Sequence, residues 1–133
     1  MATIQFMCPK GIAEPVAPYS QVARVKSSEL LFVAGQVGAR PDWSIPLGFD
    51  EQCELTFSNI LSILRECGAG WADVVQFTSY LTDPGDIPRF KAWRTRNFPT
   101  MFANSLYPAN ALLIVNRLVS DKLRVEVQAI AAL

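Results

Sequence analysis

A single carboxylate set among strand-forming residues is the first place in this chain where chemistry could reside. In Leu123-Arg124-Val125-Glu126-Val127-Gln128-Ala129-Ile130 apolar residues alternate with polar ones, the two-residue period of a strand with one face buried. Leu123, Val125, Val127 and Ala129 then face a core, while Arg124, Glu126 and Gln128 share the opposite face. Glu126 has two readings there. It is a member of a solvated polar row beside Arg124, or it lines a cleft between subunits and activates a water molecule. A carboxylate withdrawn from water is costly unless something satisfies or uses it, and Arg124 is the obvious structural partner.

The other candidates are weaker taken singly. Gly35-Gln36-Val37-Gly38 follows an apolar run, but it lacks the glycine spacing and the helix start of a phosphate cradle and reads as a tight turn. Tyr19-Ser20-Gln21 offers hydroxyl and amide groups at the start of a strand. Arg89, Lys91, Arg94 and Arg96 read as the solvated side of a helix. The chain has no histidine, which removes imidazole bases, the Ser-His and Cys-His nucleophiles and the commonest metal ligand together. Cys8, Cys53 and Cys67 form no CxxC pair and no zinc spacing. An odd count with no signal peptide reads as reduced thiols in a cytoplasmic protein, with Cys53 and Cys67 on a buried helix face and Cys8 more exposed.

The elements that must position these groups are legible from pattern. The 133 residues suffice for one domain with a real core. Strands are expected at Thr3–Cys8, Tyr19–Val25, Leu30–Ala34, Val74–Thr82, Ala111–Val115 and Leu123–Ile130. Asp50 is expected to cap a helix reaching Cys67, with Cys53, Phe57, Ile60, Leu61, Leu64 and Cys67 on its apolar stripe. A second helix from Asp86 or Ile87 to Phe98 buries Ile87, Phe90 and Trp93, and Pro99 ends it. The order β-β-β-α-β-α-β-β, with each helix apolar on one side, predicts an α+β fold with both helices on one face of a single mixed sheet. Half the residues are hydrophobic and 18% are charged. Runs such as Ala111–Val115 are apolar on both sides, so another subunit is expected to cover the second sheet face. Twelve basic residues balance twelve acidic ones, which leaves no electrostatic footprint for nucleic acid or an anionic membrane. No apolar run approaches the roughly 20 residues of a membrane span.

Taken in order, several of these pieces resemble the RidA/YjgF family of reactive-intermediate deaminases, also called endoribonuclease L-PSP proteins. The residues that carry the resemblance are Pro18-Tyr19-Ser20-Gln21, Leu31-Phe32-Val33-Ala34-Gly35-Gln36-Val37-Gly38, Asn59-Ile60 with Leu64, and Asp73-Val74-Val75 leading to Thr78 and Asp83. Tyr107-Pro108-Ala109 and Val125-Glu126-Val127-Gln128-Ala129-Ile130-Ala131 complete the set. It spans nearly the whole chain from about residue 15. The resemblance implies a chorismate-mutase-like fold assembled as a homotrimer with ligand clefts between subunits. It implies hydrolysis of enamines and imines to ammonia and a 2-keto acid, with no cofactor and no metal.

Carried over residue by residue, the family's water-positioning glutamate falls on Glu126, its pocket tyrosine on Tyr19 and its strand end on Gly35 and Gln36. Its carboxylate-gripping arginine does not carry over: the Pro-x-Arg pattern is here Pro108-Ala109-Asn110. The family's cysteine position is Leu112, and its pocket asparagine on the second helix is Lys91. Exchanging a bidentate charge-assisted pair for a neutral amide costs about 2–4 kcal/mol, or roughly 30- to 1,000-fold in binding. An efficient deaminase of 2-aminoacrylate is therefore not expected. Asn110 suits a neutral carbonyl, amide or ring, unless Lys91 supplies the missing cation. Two readings follow: an imine or enamine hydrolase with a different substrate, and a non-catalytic small-molecule-binding or regulatory trimer of the same fold.

Overall fold

The computed structural model describes every residue, Met1–Leu133. Strands β1 (Thr3–Met7) and β2 (Val22–Lys26) pair antiparallel as a ribbon. Strands β3 (Leu30–Val37), β4 (Val74–Leu81), β5 (Ala109–Ile114) and β6 (Val125–Ala132) form a four-stranded sheet in the order β3-β6-β4-β5. Helix α1 (Phe49–Glu66) follows β3. Helix α2 (Ile87–Met101) is the crossover that lets β4 and β5 lie parallel, as strands of one direction require.

The sequence predicts one continuous sheet; the chain instead makes a ribbon and a sheet joined by a single backbone bridge. Ser20 bridges Ala109 and its N–H donates to the Pro108 carbonyl at 3.1 Å. The next N–H, of Gln21, already turns to the Met7 carbonyl, so the ladder to β5 cannot extend.

Both helices pack on the same face of the sheet, as expected. The core between them centres on Phe57, whose ring stacks on Trp93 at 4.7 Å and meets Phe77 edge-on at 5.5 Å, geometries that add to simple area burial. Val125, Val127 and Ala129 enter this core. The other sheet face is open: Phe32 is 74% exposed, and Leu30 and Leu113 are exposed too. Such a row of apolar side chains in water marks a surface made for contact.

Four local expectations are corrected. β3 does not end before Gly35 but runs to Val37, because a bulge absorbs the glycine: Val33 pairs with Ala129 and Gln36 with Val127. Gly48, not Asp50, caps α1; Asp50 lies in the first turn, where its charge suits the helix dipole and accepts from Arg96 Nη2 at 3.0 Å. Cys67 falls past the helix end and is exposed, whereas Cys53 is buried and Cys8 exposed as expected. Pro99 does not stop α2. The proline leaves the Thr95 carbonyl without its helical donor, yet Phe98 and Phe102 are buried on either side of it, 5.1 Å apart. Side chains reinforce the same stretch, with Asn97 Nδ2 donating to Trp93 O and Thr100 Oγ1 to Asn97 O, both at 2.8 Å.

Candidate active site

Glu126 sits in β6, an inner strand, opposite Tyr80 of β4 and Val37 of β3. The alternation predicted from sequence holds: Val125 and Val127 are fully buried on the helix side, so Glu126 projects from the open face. It is half-buried there, and burial alone pushes its carboxyl above the ordinary value of 4.5. No cation pairs with it.

The bulge in β3 is shaped around this carboxylate. A Cβ built on Gly35 would lie 2.8 Å from Glu126 Cδ and against Oε2. Glycine is needed for the close approach and not for an unusual φ. Tyr80 donates its hydroxyl proton to Gln128 Oε1 at 2.7 Å, so two polar side chains beside Glu126 are tied to each other and leave it free. Two hollows open nearby. One, of about 130 Å³, lies between Phe32, Thr78, Gln128 and Ile130. The other, of about 380 Å³, is walled by Gly35, Gln36, Arg40, Trp43 and Asn59. Asn59 Nδ2 donates to the carbonyls of Val37 and Ala39, both at 3.1 Å, and so holds the chain leaving β3.

Arg124 is not the partner of Glu126. Its Nε and Nη2 donate to Asp86 Oδ2 and Oδ1 at 3.0 and 2.6 Å, a bidentate pair whose acid is only 2% exposed. Its guanidinium also lies 5.3 Å from the Phe49 ring. Arg124 lies just before β6 begins and turns to the helix layer, which is why alternation from Glu126 misplaces it. Buried Gln52 ties the same corner: Nε2 donates to the Pro46 and Lys122 carbonyls, and Oε1 accepts from Arg124 N–H.

The remaining sequence candidates do not converge on Glu126 within one chain. Asn110 pairs in register with Phe77, and its Oδ1 accepts from the buried Ser79 hydroxyl at 3.1 Å. It therefore lies on the helix side of the sheet, as does Leu112, which packs against the core. Tyr19 is half-buried next to the Ser20–Ala109 bridge. Lys91 is exposed on α2 and joins no ion pair with Glu126.

Arg94 is the surprise. The sequence reading puts it on the solvated side of α2; it is 4% exposed. Its guanidinium carbon lies 4.3 Å from the Phe90 ring centre, it joins no ion pair and its Nε has no partner at all. Burial pulls its pKa down to about 10. A desolvated cation–π contact returns about 2 kcal/mol, against a desolvation cost of several kcal/mol per ion. The signal was present in the sequence: Phe90, Arg94 and Phe98 recur at four-residue spacing, which puts all three on one stripe.

Residues 11–133 match the family model described as Endoribonuclease L-PSP. The chain belongs to that family, the RidA/YjgF family of the resemblance above. Among its family relatives, a RutC family protein of Pyrococcus abyssi is 35% identical over 120 residues, 89% of this chain and 88% of that one. The mouse protein named 2-iminobutanoate/2-iminopropanoate deaminase is 32% identical over 118 residues, 87% and 82% of the two chains. In fold, a Rid family protein of unknown function from Yersinia pestis superposes with a TM-score of 0.83 at 24% identity over 98% of both chains. RidA from an Antarctic Psychrobacter does so with 0.69 at 30% identity, covering 97% of this chain and 99% of that one. Family membership accounts for the helices on one sheet face. No group of three or more acidic or cysteine side chains converges as a metal site, and no helix is long and apolar enough to cross a membrane.

Proposed function

We propose that this chain is a cofactor-independent hydrolase of small imines or enamines, working in clefts between the subunits of a homotrimer. The observation that carries the proposal is Glu126: a half-buried carboxylate with no ion-pair partner, closely backed by a glycine, on a sheet face whose apolar side chains call for a neighbouring subunit. A carboxyl raised by burial holds a proton more readily than an exposed one, which suits it to take a proton from water and return it. Glu126 accepts a proton from water as the oxygen bonds to the imine carbon, giving a carbinolamine. It passes that proton to the nitrogen, which completes the neutral carbinolamine, then takes the hydroxyl proton and delivers it to the same nitrogen as the carbonyl forms, the C–N bond breaks and ammonia departs. Imine and water thus become ketone and ammonia, with nothing oxidised or reduced. An enamine enters the same route after tautomerising to its imine.

The deaminase name of the mouse relative supports this class of reaction. With Asn110 in place of a carboxylate-gripping arginine, β5 itself offers no cation to a substrate carboxylate; unless another element supplies one, the second reading, a binding trimer without catalysis, gains. The two are separated by ammonia and keto-acid release from freshly generated imines. Turnover by the native protein, lost in Glu126→Gln with the trimer intact, supports the hydrolase. Absence of turnover with every imine offered, while a small carbonyl compound still binds, would replace it with the binding trimer.

A further inference from the structure

All three guanidinium nitrogens of Arg94 are unclaimed donors on a nearly sealed side chain. Nε is cut off from solvent; the terminal nitrogens, which have no protein partner either, keep a trace of contact with water within the 4% exposure of the residue. The Phe90 ring holds the guanidinium plane in place. A guanidinium packed this way is a rigid fork with its open end free, the form that grips a carboxylate through two parallel hydrogen bonds.

The fold sets this fork beside two residues already of interest. Helix α2 runs antiparallel to β4 as the crossover between parallel strands, and Phe98 packs on Phe77 at 5.9 Å. One helical turn back from Phe98 is about 6 Å, and two strand residues on from Phe77 is about 6.6 Å, so Arg94 lies at the level of Ser79. Ser79 is the residue that donates to Asn110 Oδ1, which leaves the Asn110 NH₂ group without a protein partner. Tyr19 precedes Ser20, which bridges Ala109, the neighbour of Asn110, so it lies at the same edge. Arg94, Asn110 and Tyr19 are thus all placed towards the β5 edge, three donors with no carboxylate paired to any of them.

We propose that Arg94 is the anion-binding residue of this chain, gripping the carboxylate of a small 2-keto or 2-imino acid at the β5 edge with Asn110 and Tyr19 beside it. The cation absent from β5 is supplied from the neighbouring helix, by Arg94 and not by exposed Lys91. The choice of acid rests on the hydrolase reading; the anion site itself does not need Glu126.

The test is titration of the intact protein with pyruvate and with pyruvamide, its neutral counterpart, by calorimetry and by following the arginine Nε–H signals in NMR. The native protein is expected to prefer pyruvate by about tenfold or more, with one Nε–H signal, absent from Arg94→Lys, moving on pyruvate addition only. Arg94→Lys, which keeps the charge and loses the fork, is expected to lose most of that preference while pyruvamide binds as before; Lys91→Ala retains it. No preference in the native protein, an unmoved Arg94 signal, or loss of the preference in Lys91→Ala would overturn the proposal. Glu126→Gln distinguishes the two readings: abolished turnover with the pyruvate preference intact supports both, and a preference without any turnover in the native protein leaves the Arg94 site standing while the hydrolase falls.

Discussion

Gly35→Ala places a methyl group where the Glu126 carboxyl now lies. The new Cβ would be 2.8 Å from Cδ and 3.1 Å from Cγ of Glu126, against ordinary contacts of about 3.5–4 Å between carbon atoms. The carboxyl must therefore retreat by about 1 Å. Glu126 is half-buried at the open face, so its side chain can swing outward at a rotamer cost of about 1 kcal/mol. Removing a glycine whose φ is not in the left-handed region restores about 0.4–1 kcal/mol through the unfolded chain. Stability is then expected to change by less than about 1 kcal/mol. Misplacing a catalytic group by 1 Å costs about 100-fold in rate. The assay pairs urea unfolding with imine hydrolysis: an unchanged midpoint together with a 100-fold loss of kcat/KM is the expected result. Gly38→Ala is the contrast, since its Cβ would lie 2.7 Å from the Cα and 2.9 Å from the carbonyl oxygen of Gln52, backbone atoms of α1 that cannot step aside. That variant should lose about 2–3 kcal/mol of stability. A Gly35→Ala protein with native turnover would refute the role of the glycine in seating the carboxylate.

Three further outcomes follow from the same geometry. The folded pKa of Glu126 is raised, so the group favours the native state below its unfolded value and that contribution is lost as pH rises through the folded value. Glu126→Gln should therefore gain stability over the native protein at pH 7 and lose that advantage below about pH 4; in the native protein the acid limb of kcat/KM should lie above 4.5, and a limb at or below it would contradict the buried base. Asp86→Ala removes the acid of the bidentate pair with Arg124 and should cost about 3 kcal/mol in urea unfolding, with a loss under 1 kcal/mol showing that Arg124 finds water instead. Phe32→Glu sets a charge in the middle of the open face, where Phe32 is 74% exposed; light scattering should show the proposed trimer for the native protein and monomer for the variant, with α1, α2 and the core unchanged in circular dichroism, and a variant assembled like the native protein would place the subunit contact elsewhere.

Local periodicity decided much of this protein. The order of strands and helices, the inward row Val125, Val127 and Ala129, the outward Glu126 and the buried Cys53 all follow from a repeat of two or 3.6 residues, which is a property of neighbours in sequence. Boundaries moved where long-range packing competed with local preference. α2 passes through Pro99 because Phe98 and Phe102 are held in the core, and β3 passes through Gly35 because a bulge accommodates the Glu126 side chain. Polar pairing was the least legible part. Arg124 pairs with Asp86, 38 residues away, although Glu126 is its neighbour but one, since the chain only enters β6 at Val125 and the face rule does not reach back. Arg94 looked solvated because its neighbours Lys91 and Arg96 are, yet its stripe is set by Phe90 and Phe98. The sequence by itself determined which residues could act, through their chemistry and the face each must share. Only the tertiary structure decided which cation is paired and which acid is left unpaired, because that depends on contacts between elements far apart in the chain.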